Sequence, residues 1–157
     1  DADVEREVTC VCRDLNLVQI RDSRVGTVEK RGISGGQRKR VSIAMELVTQ
    51  PLLLFADEPT SGLDSTTAHE VVDCLNRAAQ RLGTTVVAVI HQPRFETLLL
   101  FEMVTLLATG GTLVYAGSPK DAVGDFRRYL EVDFPANANP ADVMLDKIQN
   151  LRALPDA

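Results

Sequence analysis

No stretch of this 157-residue sequence holds the roughly 18 to 20 apolar residues that a membrane-crossing helix needs, so no segment is expected to span a bilayer. The first residues lack the basic and apolar regions of a secretory leader, and the chain as given reads as soluble. Cysteine is scarce. Three residues, at positions 10, 12 and 74, are an odd count and too few for the disulfide framework of a small secreted domain, so a reduced cytosolic setting is expected. Cys10 and Cys12 stand two apart on an expected helix, where side chains do not share a face, which argues against a metal pair. Positive charge is not in excess either. A net charge of -5 argues against a nonspecific nucleic-acid surface, and Arg38-Lys39-Arg40, the only run of three basic residues, reads as a solvated helix face. Repeats and low-complexity tracts are absent. So is GxxxxGK[ST], the loop that wraps nucleotide phosphates: Gly26 leads to Arg31 and not to a glycine-lysine pair.

What is present is globular, with 45% hydrophobic and 25% charged residues. A chain of this length forms one domain that buries roughly two thirds of its unfolded surface. The most informative stretch runs from Gly32 to Asp64. Ile33-Ser34-Gly35-Gly36-Gln37 opens a helix expected over residues 35–49, and a helix start with a serine and two glycines offers unpaired N–H groups and a hydroxyl to an anion. Leu52 to Phe55, between Pro51 and Asp57-Glu58-Pro59, suits a strand over 52–57 buried on both faces. Its carboxyl end delivers two acids side by side, and neighbouring strand side chains point oppositely, so Asp57 and Glu58 should have different tasks.

The remaining elements follow from periodicity. Val4, Val8, Val11, Cys12 and Leu15 predict an amphipathic helix over 4–17. Val41, Ala44, Leu47 and Val48 form the inward face of the 35–49 helix. Ser65 reads as the N-cap of a helix with the stripe Ala68, Val71, Val72, Leu75, Ala79 and Leu82, closing at Gly83, with His69 exposed beside it. Thr85 to Ile90 is a β-branched strand ending at His91. A strand, helix, strand crossover of this length implies parallel pairing, which brings Glu58 and His91 to the sheet edge where α/β folds bind ligands. A helix over 95–101, a hairpin of 103–107 and 112–116 through Gly110-Gly111, a helix started by Ser118-Pro119 burying Val123, Phe126, Tyr129 and Leu130, and a last helix from Asn139-Pro140 complete the chain.

The Ser34–Gln37 segment, the apolar run ending in Asp57-Glu58, the loop Ser61-Gly62-Leu63-Asp64 and His91 resemble, in order and spacing, the signature motif, Walker B, D-loop and switch histidine of ATP-binding cassette (ABC) ATPases. Gly32–Arg40, His91-Gln92-Pro93-Arg94 and Asn139-Pro140-Ala141-Asp142 are similar to the G subfamily, the white and pleiotropic-drug-resistance transporters. The resemblance covers roughly residues 15–148. It implies an α/β, RecA-like P-loop NTPase fold, represented in part: a helical subdomain over 1–50, a catalytic core over 51–117, and C-terminal helices over 118–157 leading to a membrane linker. The family's phosphate loop and Q-loop would precede residue 1.

The same resemblance implies ATP and Mg2+ as cofactors and a head-to-tail dimer with a second cassette. Ser34, Gly35, Gly36 and Gln37 would close on the γ-phosphate of the partner's ATP. Asp57 would hold magnesium through water, Glu58 would polarise the attacking water, and His91 would contact the γ-phosphate. Ser61, Gly62, Leu63 and Asp64 would form the D-loop, with Asp64 carrying contact across the dimer. Transport coupled to hydrolysis, a transmembrane partner, a place at the cytoplasmic face of a membrane and no nucleic-acid partner follow from the same source. A non-transport ABC ATPase of translation or DNA repair, and a catalytically silent remnant, are the alternatives. An isolated chain without GxxxxGK[ST] is expected to have negligible ATPase activity, and a strand of 52–57 with an uncovered flank is expected to promote self-association.

Overall fold

The computed structural model describes residues 2–27, 30 and 32–150 of the chain. It forms two units that meet in sequence at His91/Gln92. The first contains helix α1 (Ala2–Asp14), a single 3-10 turn at Val18–Ile20, helix α2 (Gly35–Leu47), strand β1 (Leu53–Asp57), helix α3 (Ser65–Leu82) and strand β2 (Thr85–Val89). The apolar stripe of α3 is the spine of this unit: Val71, Leu75 and Ala78 are fully buried against Val11 and Leu15 of the α1 region and Leu47 of α2. Gly83 ends the helix in the left-handed region, φ 69°, where its N–H reaches the Ala79 carbonyl. One residue later the Thr84 hydroxyl donates to the Pro51 carbonyl at 2.7 Å, fixing where β2 starts beside β1. The strands pair in parallel, in register from Leu53 opposite Thr85 to Asp57 opposite Val89.

Burial departs from the sequence expectation in ways that periodicity explains. Both strands alternate instead of being buried on both faces. Leu54 and Val86 pack on the helices, while Leu53, Phe55, Val87 and Val89 stand exposed on the opposite face, Phe55 at 72%. A strand is buried on both faces only when a layer covers each, and among the described residues of this unit the helices cover one. Such a contiguous apolar face is expected to drive self-association of the isolated chain, with Phe55→Lys reducing it; sedimentation velocity across micromolar concentrations reads the outcome.

On α2 the inward positions are Gly36, Arg40, Ile43 and Leu47, spaced at helical turns, whereas Val41, Ala44 and Val48 are half-buried. The basic run is therefore not one solvated face: Arg38 is exposed, Lys39 half-buried and Arg40 buried, its guanidinium 3.7 Å from the Glu70 carboxylate. Val4 and Val8 of α1 are exposed, since only the second half of that helix meets the core. His69 is half-buried, not exposed. Burial of Cys74 pushes its thiol pKa up, which favours the protonated form.

The second unit contains α4 (Phe95–Leu98), the antiparallel hairpin β3 (Val104–Leu107) and β4 (Leu113–Gly117), then α5 (Pro119–Leu130) and α6 (Pro140–Asn150). The helix expected over 95–101 is one turn of four residues. Gly110 and Gly111 take φ 82° and 81° in the connection, as tight reversal requires. Ser118 caps α5 by accepting from the Lys120 N–H, with Pro119 in the first turn, as expected. Phe126 is buried edge-on against Tyr115 at 6.0 Å between ring centroids, and Ala122, Met144 and Ile148 complete this core. Val123 and Leu130 are half-buried. Tyr129 shares the helical face of Ala122 and Phe126 but, one residue from the C-terminal end of α5, is 69% exposed, and the Arg128 guanidinium stacks over its ring. The Asn139 side chain donates to the Pro93 carbonyl and accepts from the N–H groups of Phe95 and Ala141, so it both starts α6 and fixes the segment entering α4. Among the described residues no helix is long and apolar enough to cross a membrane.

Candidate active site

Parallel pairing puts the carboxyl ends of β1 and β2 side by side, and the two side chains expected there meet. Glu58 Oε1 lies 3.0 Å from His91 Nε2, both groups open to solvent at side-chain exposures of 46% and 74%. Glu58 extends the ladder by one bond, its N–H donating to the Val89 carbonyl at 3.1 Å, and then turns sharply. At φ 47° it occupies the left-handed region, a conformation that costs a non-glycine residue on the order of 1–3 kcal/mol unless its surroundings hold it. They do: its carbonyl accepts from the Ser61 N–H at 3.1 Å and from Lys39 Nζ at 3.2 Å. Asp57, one residue earlier, is exposed on the same face of β1 as Leu53 and Phe55. Asp57 closes the strand while Glu58 lies past its end in the left-handed region, so the two acids stand on different backbone geometry.

The helix start is built by Ser34. Its hydroxyl oxygen accepts from the Gln37 N–H at 3.2 Å, while Gln37 Oε1 accepts from the Ser34 N–H at 2.8 Å, a reciprocal capping box. The first intrahelical bond runs from the Arg38 N–H to the Ser34 carbonyl, so the amides of Gly35 and Gly36 precede the ladder and point out of the helix start with the positive end of its dipole. Ser34 and Gly35 are exposed; Gly36 is buried. The reason for glycine there is contact with α3. A Cβ on Gly36 would overlap Thr67 Cγ2, and one on Gly35 would meet Leu63 Cδ2 at 3.4 Å.

The loop Ser61–Asp64 lies beneath that helix start. Asp64, not Ser65, caps α3: one carboxylate oxygen accepts from the N–H groups of Thr66 and Thr67, both at 3.1 Å, and the other accepts from the Thr67 hydroxyl at 2.6 Å. An aspartate reaches both first-turn amides, while Ser65 already has helical geometry. The Thr67 hydroxyl first, and then the amide of the same residue, hold the Asp64 carboxyl below its ordinary pKa. The sign follows from a depressed native value: the cap's stabilisation is complete above the unfolded carboxyl value, about pH 4, and is lost as pH falls through the lower folded value. The melting temperature of the chain is expected to exceed that of Asp64→Ala at neutral pH, with the gap narrowing below about pH 4 in paired thermal melts.

All the residues singled out in the sequence from Ser34 to His91 therefore lie in the first unit, and two of their groupings are in direct contact. Two contributors were not anticipated. Thr67 is the surface against which Gly36 packs, and Lys39 ties α2 to Glu58 and Ser61. Neither leaves a signal in the sequence, because each acts on a partner many residues away at no fixed period.

A family model described as ABC transporter matches residues 3–61, and one described as ABC-2 type transporter matches residues 91–156. The chain is 48% identical over 141 residues to the broad substrate specificity ATP-binding cassette transporter ABCG2 of Sus scrofa, covering 90% of this chain and 21% of that protein. It is 43% identical over 141 residues to ABC transporter G family member 28 of Arabidopsis thaliana, covering 90% of this chain and 12% of that one. A probable ATP-dependent permease of Saccharomyces cerevisiae is 46% identical over 136 residues, 87% of this chain and 13% of its own length. The chain thus spans about a fifth or less of the curated relatives it matches. Among solved structures, CbiO1 of Clostridium perfringens, part of the ABC transporter complex CbiONQ, superposes with a TM-score of 0.60 over 83% of this chain and 51% of that one; at 24% identity this likeness establishes a shared fold. The chain belongs to the G subfamily of ABC transporters and is part of the nucleotide-binding domain of that family.

Proposed function

We propose that this chain supplies the signature and hydrolytic elements of an ATPase cassette that powers a membrane exporter. The observation that carries this reading is the Glu58–His91 pair, 3.0 Å apart at the carboxyl edge of a parallel pair and in the same unit as an exposed serine-headed helix start. Glu58 would polarise the attacking water, and His91 would contact the terminal phosphate and steady the geometry. Ser34, Gly35, Gly36 and Gln37 would receive the γ-phosphate of an ATP held by a second cassette, through first-turn amides and the helix dipole. Ser61, Gly62, Leu63 and Asp64 would border the junction between the two cassettes.

Magnesium fits the residues present. Asp57 is an exposed hard oxygen donor, the type of ligand suited to an ion bound by one or two carboxylates with water and substrate phosphates completing its shell. When bound, the ion would neutralise charge developing on the phosphates. Asp57 would orient it through water, which leaves the Glu58 carboxylate free to take a proton.

The names of the relatives support an assembly with a transmembrane partner at a membrane, and the exposed apolar sheet face and helix start support a chain that works within a larger assembly. The 157 residues contain no GxxxxGK[ST], so the isolated chain is expected to release phosphate no faster than its Glu58→Gln variant. A full-length transporter carrying it is expected to turn over ATP. Phosphate release by the isolated chain above that control would overturn the division of labour proposed here.

A further inference from the structure

We infer that Lys39 is a positioning residue for hydrolysis: its ammonium draws the Glu58 peptide and the Ser61 hydroxyl together and so aims the Glu58 carboxylate. The inference rests on the reading of Glu58 as the group that polarises water. A lysine in a basic run on a helix ordinarily leaves its ammonium in water, where hydration and side-chain freedom favour it. Lys39 does otherwise. It is half-buried, and Nζ donates to the Glu58 carbonyl and to Ser61 Oγ, each at 3.2 Å, across 19 and 22 residues of sequence.

The target of the first bond is the one residue whose backbone direction matters most. Glu58 sits at φ 47°, pinned on its N–H side by Val89 and on its carbonyl side by the Ser61 N–H and Lys39. Loss of the lysine bond leaves the carbonyl with Ser61 alone and loosens the φ 47° backbone of Glu58, whose Cα carries the carboxylate that meets His91 at 3.0 Å. The ammonium contacts the backbone oxygen, not the carboxylate, so it sets geometry and takes no part in proton transfer. Lys39 also stands just over one turn past the Ser34 cap on α2. Because a helix moves as a rod, a shift of the Ser34–Gln37 end on engaging an anion is transmitted through Lys39 to Glu58 and Ser61 of the same chain.

The test is steady-state ATP turnover by a full-length transporter carrying this chain, for wild type, Lys39→Met, Lys39→Arg, Ser61→Ala and Glu58→Gln, with melting temperature measured alongside. Lys39→Met is expected to lower kcat about tenfold with KM changed less than about twofold, and Lys39→Arg to recover part of the loss. Ser61→Ala, which removes only one acceptor, is expected to lower kcat with KM unchanged, and it carries the test if Lys39→Met does not fold. Wild-type kcat in Lys39→Met beside an inactive Glu58→Gln overturns the inference and leaves the site reading intact. A fall in melting temperature with kcat unchanged does the same. Wild-type turnover in Glu58→Gln overturns the reading of Glu58 itself.

Discussion

Glu58→Gln in a full-length transporter carrying this chain is expected to lower ATP turnover by about 10²- to 10⁴-fold while nucleotide binding stays at the wild-type level. The substitution keeps the shape of the side chain and its reach to His91, 3.0 Å away, but an amide cannot take a proton from water. The groups assigned to holding phosphate and metal, Ser34 to Gln37 and Asp57, are untouched. Ground-state binding and chemistry should therefore separate, which a paired measurement of phosphate release and equilibrium nucleotide binding resolves. Equal losses in both would point to a folding or binding role for Glu58. Unchanged turnover would remove it from the chemistry.

Gly36→Ala is expected to destabilise the chain by about 1–3 kcal/mol, and Thr67→Ser in the same chain to restore most of that loss. The added methyl would overlap Thr67 Cγ2 where α2 crosses the first turn of α3. Thr67 cannot easily swing away, since its hydroxyl donates to Asp64 at 2.6 Å and its amide to the same carboxylate at 3.1 Å. Serine retains the hydroxyl and removes only the methyl in the way. Denaturant unfolding of the single and double variants forms a cycle whose coupling term reports this one contact. Additive effects would mean that the helices are held apart by something other than Thr67. The same cycle read by ATP turnover in the full-length protein asks whether the position of the helix start, and not stability alone, limits activity.

Much of this arrangement was legible before any coordinates. The parallel β1–β2 pair follows from two apolar runs around an 18-residue helix, and their pairing brings Glu58 to His91. The helix expected to open at Ser34-Gly35-Gly36-Gln37 starts there, and the structure adds a capping box between Ser34 and Gln37. Other expectations failed for identifiable reasons. A continuous apolar run reads as buried on both sides, yet whether a second layer covers Leu53, Phe55, Val87 and Val89 is not written in the run itself. Asp64 displaced Ser65 as the cap because adjacent polar residues both qualify by type, and backbone geometry selects between them.

Residue order dictated where chain direction reverses, which face of α3 turns inward, and which side chains stand at the ends of β1 and β2, because these depend on period and on neighbours close in the chain. Three-dimensional packing alone settled that Gly36 lies against the Thr67 methyl, that half-buried Lys39 bonds the Glu58 carbonyl, and that Arg40 lies buried beside Glu70 in a basic run that looked solvated. Those facts arise from surfaces brought together across about twenty to thirty residues of chain, a range over which sequence carries no regular period and only the closeness of packed helices decides which atoms meet.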